Sequence, residues 1–270
     1  MQQPLRPSAF DSVPAIYDRA RPLYPSALFD DFFAYLRESR SERECPHPEI
    51  VEVGAGTGQA TGVLLERGAR VTAVELGPSL AAFLAEKHRA NPDLRVIAGA
   101  FEQEPTEEGR WDAVLSATAY HWVKPEARMA RPGALLVPGG VLVVIDTNQV
   151  ESDADRGFFV RCQQIYNKYQ PPPPSTPQGL TLDVLPPIFN EMQASDLFED
   201  VRLWRYRWDQ KYDGAQYADL LLSYSNTQDM DPEPRAGLVA DLRAMVEAEE
   251  GGYVVRPLVI TLAVGRRRAS

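Results

Sequence analysis

The stretch Ile50-Val51-Glu52-Val53-Gly54-Ala55-Gly56-Thr57-Gly58 decides how the chain is read. Ile50, Val51 and Val53 make a short β-branched run of the kind buried in a parallel strand, and the run breaks at once into glycines. Without Cβ atoms, Gly54, Gly56 and Gly58 let the backbone turn sharply and approach a ligand closely. A strand feeding such a loop and then a helix takes a nucleotide-like ligand at its carboxyl end. A second strand, Arg70 to Val74, ends at Glu75 about twenty residues beyond Gly54, where a carboxylate can accept hydrogen bonds from both ribose hydroxyls. The dinucleotide pattern G-x-G-x-x-G needs a glycine at position 59, and the chain has Gln59 there. A pyrophosphate is therefore matched less well than a nucleoside ligand without one.

Helix and strand patterns alternate outward from this unit. A leading helix is expected over Ala27–Leu36 behind Pro25, then a polar connector from Arg37 to Pro48. After Gly58 a helix should run to about Glu66 and close at Gly68, and another should span Leu80–His88 until Asn91-Pro92 stops it. Leu94–Ile97 and Trp111–Leu115 read as strands, and a helix near Pro125–Leu136 is expected to bend or break at Pro132-Gly133. Pro138-Gly139-Gly140 then turns the chain into the apolar strand Val141–Ile145, which needs cover on both faces. The repeats imply an α/β fold with a central parallel sheet. Beyond Asp146 come a helix-like run over Arg156–Tyr169, a proline spacer at Pro171–Pro174 and a helix-like piece at Pro187–Met192. Val201–Tyr206 reads as a strand, Asp209–Asp213 is too polar to decide, Tyr217–Ser223 and Arg235–Ala248 read as helices, and Tyr253–Val264 as the final strand. The expected organisation is one domain, 1–270, with an N-terminal covering segment (1–36), a ligand-binding core (49–146), helical insertions forming a substrate lid (151–196 and 214–249) and a last strand (253–265).

With 38 acidic and 28 basic side chains the formal net charge is −10. Polyanions are repelled, so no nucleic-acid partner is expected, and Arg266-Arg267-Arg268 is too short to reverse the balance. Cys45 and Cys162 read as free thiols in a reducing compartment, and no spacing of His47, His88, His121 or the cysteines suits a metal. No apolar leader or 18-residue apolar window occurs, which points to a cytoplasmic protein without a membrane partner. A small-molecule substrate is the expected partner, and the sequence does not choose between monomer and homodimer.

VEVGAGTGQAT (51–61), VTAVELGPSL (71–80), WDAVLSATAYHWV (111–123) and LLVPGGVLVVID (135–146) together resemble a class I S-adenosylmethionine-dependent methyltransferase, over about Tyr17–Val264. YDRARPLYP (17–25) and AYHWV (119–123) resemble its small-molecule, trans-aconitate methyltransferase-like branch. The resemblance implies a Rossmann-like, seven-stranded, mostly parallel sheet with an antiparallel C-terminal hairpin. It implies S-adenosyl-L-methionine as cofactor and S-adenosyl-L-homocysteine as product. Gly54, Ala55 and Gly56 would lie beneath the methionine portion, with Glu52 toward its ammonium group, Glu75 on the ribose and Leu76 against adenine. Many relatives carry an aspartate after the third strand; here Ala100-Phe101-Glu102 leaves adenine to a backbone N–H and the Phe101 ring. Ser116, Ala117 and Thr118 match the loop bordering the cofactor. The Asn- or Asp-Pro-Pro-aromatic sequence of DNA amino-methylating relatives is absent there, which argues against base methylation.

His121 follows a core strand and is either an acid-base or substrate-orienting group or a structural histidine. Trp122 is either a pocket wall or a core aromatic. Tyr17 would cover the cofactor while Arg21 binds its carboxylate or an acidic substrate, unless Arg21 is a surface residue between prolines. Tyr24, Tyr120, Phe158, Phe159, Tyr166 and Tyr224 are the further acceptor-binding candidates, with helix-to-core packing the other reading of the lid aromatics. The expected activity is methyl transfer to an oxygen, nitrogen or carbon of a small metabolite; the alternatives are a nicotinamide-dependent oxidoreductase and a non-catalytic cofactor-binding protein.

Overall fold

The β-branched run becomes β1 (Glu49–Val53), preceded by α1 (Pro14–Ala20) and α2 (Ser26–Ser39), in a computed structural model that describes residues 14–40, 46–105, 107–169 and 181–269. Cys45 and the proline spacer lie outside the described residues. β1 pairs in parallel with β2 (Arg70–Glu75) and with β4 (Trp111–Ala117), so that Val51 faces Thr72 on one side and Val114 on the other. β2 pairs in parallel with β3 (Leu94–Ala98), and β4 with β5 (Leu136–Gln149). With β6 (Phe198–Asp213) and β7 (Tyr253–Arg267) the seven-stranded order is β3-β2-β1-β4-β5-β7-β6, closed by the antiparallel C-terminal pair. The chain grows outward from β1 through β3 and then returns to β4 on the other side of β1. That reversal is a topological switch point, where the loops at the strand carboxyl ends part into a crevice.

The described residues divide into two compact units. A sheet unit gathers Leu23–Thr147, Leu185–Tyr206 and the residues from Ile260 on; a helical unit gathers the residues up to Pro22, Asn148–Val184 and Arg207–Val259. In the sheet unit, α3 (Gln59–Glu66), α4 (Pro78–Lys87) and α5 (Ala127–Leu135) alternate with the strands, and α8 (Pro187–Ala194) contributes Ile188 and Met192 to a core with Val53, Val114, Val144 and Phe198. Each such aliphatic side chain removed from water stabilises the fold by about 1.5–3 kcal/mol. Below the sheet, the buried pair Arg40–Asp112 neutralises itself, and Asp112 Oδ2 also accepts the Glu49 N–H at 2.8 Å. The helical unit contains α6 (Phe158–Arg161), α7 (Gln163–Tyr169), α9 (Gly214–Leu222), α10 (Ser225–Gln228) and α11 (Pro232–Glu247). Its core holds Phe158, Cys162, Tyr217, Leu220, Leu238 and Leu242. Asp213 caps α9 with a reciprocal bond to Gln216.

Three expected boundaries move. The run Arg156–Tyr169 is not one helix, because Arg156 and Gly157 both take positive φ and α6 begins only after them. Asp209–Asp213 continues β6, where pairing overrides poor strand composition. Pro138-Gly139-Gly140 sits inside β5 as an irregularity, since Leu136 pairs with Trp111 and Val141 with Ala113.

α5 runs through Pro132 without a break. A proline lacks the N–H that would bond to the carbonyl four residues earlier, here that of Arg128. The Tyr120 hydroxyl donates to that carbonyl instead. Among the described residues, no helix is long and apolar enough to cross a membrane and no group of three or more His, Cys, Asp and Glu side chains is placed to hold a metal ion.

Candidate active site

The glycine loop has left-handed φ values at Gly54 (67°), Gly56 (58°) and Gly58 (90°). At Gly54 a Cβ would stand 2.5 Å from Ala119 Cβ, so glycine is what lets the loop after β1 close against the loop after β4. Glu75 ties the same loop to the end of β2. Its Oε2 accepts the Gly56 N–H and its Oε1 the Gly77 N–H, each at 2.8 Å. Two N–H donors thus hold the carboxylate in one orientation at the strand end. Beside it, Leu76 is 51 % exposed, an apolar side chain left in the open next to a polar anchor.

Glu52 is 1 % exposed and accepts the Thr61 hydroxyl at 2.6 Å. Burial pushes its carboxyl up to about 8; the Thr61 bond opposes the shift and the nearby Glu75 charge adds to it. Ser116 is also committed to structure, donating to the Val53 carbonyl at 2.8 Å.

The loop after β4 carries backbone strain. Thr118, a β-branched residue, has φ of 59°, a conformation that costs of order 1–3 kcal/mol and clusters at functional sites. Its N–H donates to the Ile145 carbonyl at 2.7 Å, and its hydroxyl lies 3.0 Å from the Tyr24 hydroxyl and 3.5 Å from that of Thr147. Asp146, between Ile145 and Thr147, has a carboxyl raised by burial. Sequence reading passed over it, although it closes the apolar run 141–145 where a buried strand meets the loop edge. The next residues form a 3-10 turn, Tyr120–Trp122. Tyr120 enters the core, Trp122 is half-buried and His121 stays exposed, its ring 4.9 Å from that of Trp122. Partial desolvation, helped by the Arg128 guanidinium, lowers the His121 pKa. The imidazole is thereby favoured in its neutral, proton-accepting form.

Three of the expected ligand-contact side chains are buried. Tyr120 is 2 % exposed and its hydroxyl donates to the Arg128 carbonyl. Phe101 lies inside the sheet core, which leaves Leu76 and not Phe101 as the open apolar surface by Glu75; Ala100 is half-buried. Phe158 is wholly buried against Phe159 and Tyr217. In the helical unit the structure brings Tyr17, Arg21 and Tyr224 together. The Arg21 guanidinium lies 4.6 Å from the Tyr17 ring centre and 5.0 Å from that of Tyr224, and donates to the Ser223 carbonyl at 3.1 Å. Phe159 and Tyr166 pack against the core of the same unit, with the Tyr166 phenol pushed up to about 12 by burial.

The chain is similar to known proteins. The family described as a methyltransferase domain matches residues 51–144. An uncharacterized methyltransferase of Geobacillus kaustophilus is 30 % identical over 195 residues, which cover 67 % of this chain and 85 % of the relative. The chain belongs to the class I S-adenosylmethionine-dependent methyltransferases. An uncharacterized methyltransferase of Mycobacterium tuberculosis is 34 % identical over 137 residues, 51 % of each protein, so the match spans about half the length of that relative. Within the family the chain is related to the trans-aconitate branch: the trans-aconitate 2-methyltransferase of Deinococcus radiodurans is 35 % identical over 104 residues, 37 % of this chain and 38 % of that one. A solved structure from Anaeromyxobacter dehalogenans has the same fold, with a TM-score of 0.60 at 17 % identity over 92 % of this chain and 97 % of that one. Membership makes S-adenosyl-L-methionine the methyl donor. The residues present fit the donor: a carboxylate fixed at the end of β2, a glycine loop held against it, and an exposed leucine at its side.

Proposed function

We propose that the protein transfers a methyl group from S-adenosyl-L-methionine to an oxygen, nitrogen or carbon atom of a small molecule, with Glu75 holding the ribose of the donor. The observation that carries this reading is the Glu75 carboxylate, fixed by the Gly56 and Gly77 N–H groups at the carboxyl end of β2. When bound, the donor supplies an activated methyl on a sulfonium that is its own leaving group, so the protein's task is alignment and exclusion of water. Gly54, Ala55 and Gly56 shape the floor of the site, and Leu76 offers an apolar face to a flat ring. Thr118, held by Tyr24 and the Ile145 carbonyl, borders the methyl position. His121, neutral near pH 7, accepts a proton from a hydroxyl or acidic carbon, and the Asp146 carboxyl stands on the adjacent strand end. The alternative, a nicotinamide-dependent oxidoreductase, is disfavoured by Gln59, whose side chain bonds Thr57 in place of a third glycine.

Calorimetric titration with S-adenosyl-L-homocysteine, with NADH in parallel, tests the reading. Saturable binding of the first alone supports it, and product mass in an acceptor screen then identifies the atom methylated. Binding of NADH alone overturns it.

A further inference from the structure

Arg128 stands in the first turn of α5, where the positive end of a helix disfavours a cation. Its side chain nevertheless reaches back to the 3-10 turn that carries His121. Nε donates to the Val123 carbonyl at 3.0 Å and Nη2 to the His121 carbonyl at 3.2 Å, while the carbonyl of Arg128 itself accepts the Tyr120 hydroxyl. One residue thus holds positions 120, 121 and 123. A short helical turn leaves its last carbonyls without backbone donors, and here the guanidinium supplies them. Because the peptide unit is planar, fixing the His121 carbonyl fixes the peptide plane that follows the residue, and with it the direction in which the imidazole leaves the backbone.

The same guanidinium is paired from a distant element. Its Nη1 donates to Glu191 Oε1 on α8 at 3.1 Å, and the two side chains are only 21 % and 35 % exposed, so solvent screens the pair in part. Nε, Nη1 and Nη2 each have an acceptor, which fixes the fork; a lysine, with one nitrogen, cannot span all three. Desolvation first, and the Arg128 charge second, hold the His121 imidazole below its ordinary pKa. Around the turn, the ring of Trp122 is neutral, Glu102 accepts the Lys124 N–H at 3.2 Å at its far end, and Asp146 closes β5. The charge that acts on the imidazole is that of Arg128. All of these groups lie within the sheet unit.

We propose that Arg128 is a positioning residue for His121, holding its turn by two carbonyls, and that Glu191, by pairing with Arg128, sets how far the guanidinium charge reaches the imidazole. The inference rests on the reading of His121 as the proton acceptor of methyl transfer. A guanidinium beside an imidazole repels the proton that would make it a second cation, so Arg128 keeps His121 ready to accept. Glu191 offsets part of that charge. The two residues therefore act on His121 with opposite signs: loss of the Arg128 charge raises its proton affinity, and loss of the Glu191 charge lowers it further. A pair that merely braced the fold would not divide its effects in this way.

The experiment is a pH titration of the histidine ring signals of the full chain by NMR. The chain has three histidines, His47, His88 and His121, and the signal lost in His121→Gln identifies the one that matters. The expected result is a His121 midpoint that rises in Arg128→Gln, falls in Glu191→Gln and stays nearer the parent's in Arg128→Lys, which keeps the charge, with His47 and His88 unmoved throughout. Arg128→Lys should still loosen the turn. Amide exchange of Trp122 and Val123, whose N–H groups donate to the Ala119 and Tyr120 carbonyls, should quicken there by about tenfold, the scale of one lost hydrogen bond. Should Arg128→Gln lose cooperative unfolding, Glu191→Gln carries the test, because its shift has the opposite sign. An unmoved His121 midpoint in either charge-removing variant, shifts of the same sign in both, or parental exchange in Arg128→Lys overturns the proposal. Unaltered turnover in His121→Ala would instead remove the proton-acceptor reading and leave the measured coupling in place.

Discussion

Glu52→Gln should stabilise the protein progressively as pH rises. In the folded chain the Glu52 carboxyl is raised by burial from 4.5 to about 8, whereas in the unfolded chain it titrates in water near its ordinary value. Between those values the folded state holds a proton that the unfolded state has released, so unfolding is favoured more with each unit of pH. The contribution of Glu52 to stability is therefore greatest below about pH 4.5, is lost as pH rises toward 8, and stays lost above it. At roughly 1.4 kcal/mol per unit, the relative penalty is below about 1 kcal/mol at pH 5 and grows to about 3 at pH 7 and about 5 at pH 9. The glutamine side chain of the variant has no such titration, and its amide oxygen can still accept the Thr61 hydroxyl that Glu52 Oε2 accepts at 2.6 Å. The variant's stability relative to the parent should thus climb by about 2–3 kcal/mol from pH 5 to pH 7 and by a smaller amount, about 1–2 kcal/mol, from pH 7 to pH 9. Urea unfolding at the three pH values, followed by tryptophan emission, reads the difference directly; Trp111 lies in the same core. Parallel pH profiles for parent and variant would mean that Glu52 is ionised in the folded protein, and the buried-acid account would be wrong.

Other outcomes follow from the same geometry. Glu75→Ala should weaken S-adenosyl-L-homocysteine binding by about 1–3 kcal/mol, the range for a hydrogen-bonded charge, and calorimetry showing unchanged affinity would take Glu75 out of the donor site. His121→Ala should lower turnover more than donor affinity once an acceptor is in hand; because the His121 pKa is lowered, the parent's rate should hold its upper plateau to lower pH than an ordinary histidine would allow, and an unaltered rate in the variant would make the histidine structural. Tyr120→Phe should cost about 1–3 kcal/mol in denaturant unfolding by leaving the half-buried Arg128 carbonyl without its donor, with donor affinity intact.

The parallel core was legible because its signals are local. A β-branched run breaking into glycines, an acid at the end of the next strand and an apolar 141–145 each state their element within a few residues, and the observed β1, β2 and β5 contain those runs. Gln59 likewise starts α3 where the glycine pattern ends. What escaped was decided by partners far along the chain. Asp209–Asp213 is polar, and becomes strand through the pairing of β6 in the sheet. Arg256 sits in a strand whose sequence reads as core, and its hydrogen-bond partners Gln149 and Tyr224 come from distant parts of the chain.

Tyr120 shows why residue identity at the right place in a motif is not yet a role. The phrase Ala119-Tyr120-His121-Trp122-Val123 offers three side chains to a pocket, but a 3-10 turn spaces successive side chains by about a third of a revolution, so they cannot share one face. Which one turns inward is set by Pro132, twelve residues on, whose missing N–H leaves the Arg128 carbonyl in need of a donor. Tyr120 answers that need and is buried, and His121 is left on the open side with Arg128 bonding its carbonyl at 3.2 Å. The proline that sequence reading expected to break a helix instead fixes the orientation of the histidine, through one tyrosine hydroxyl.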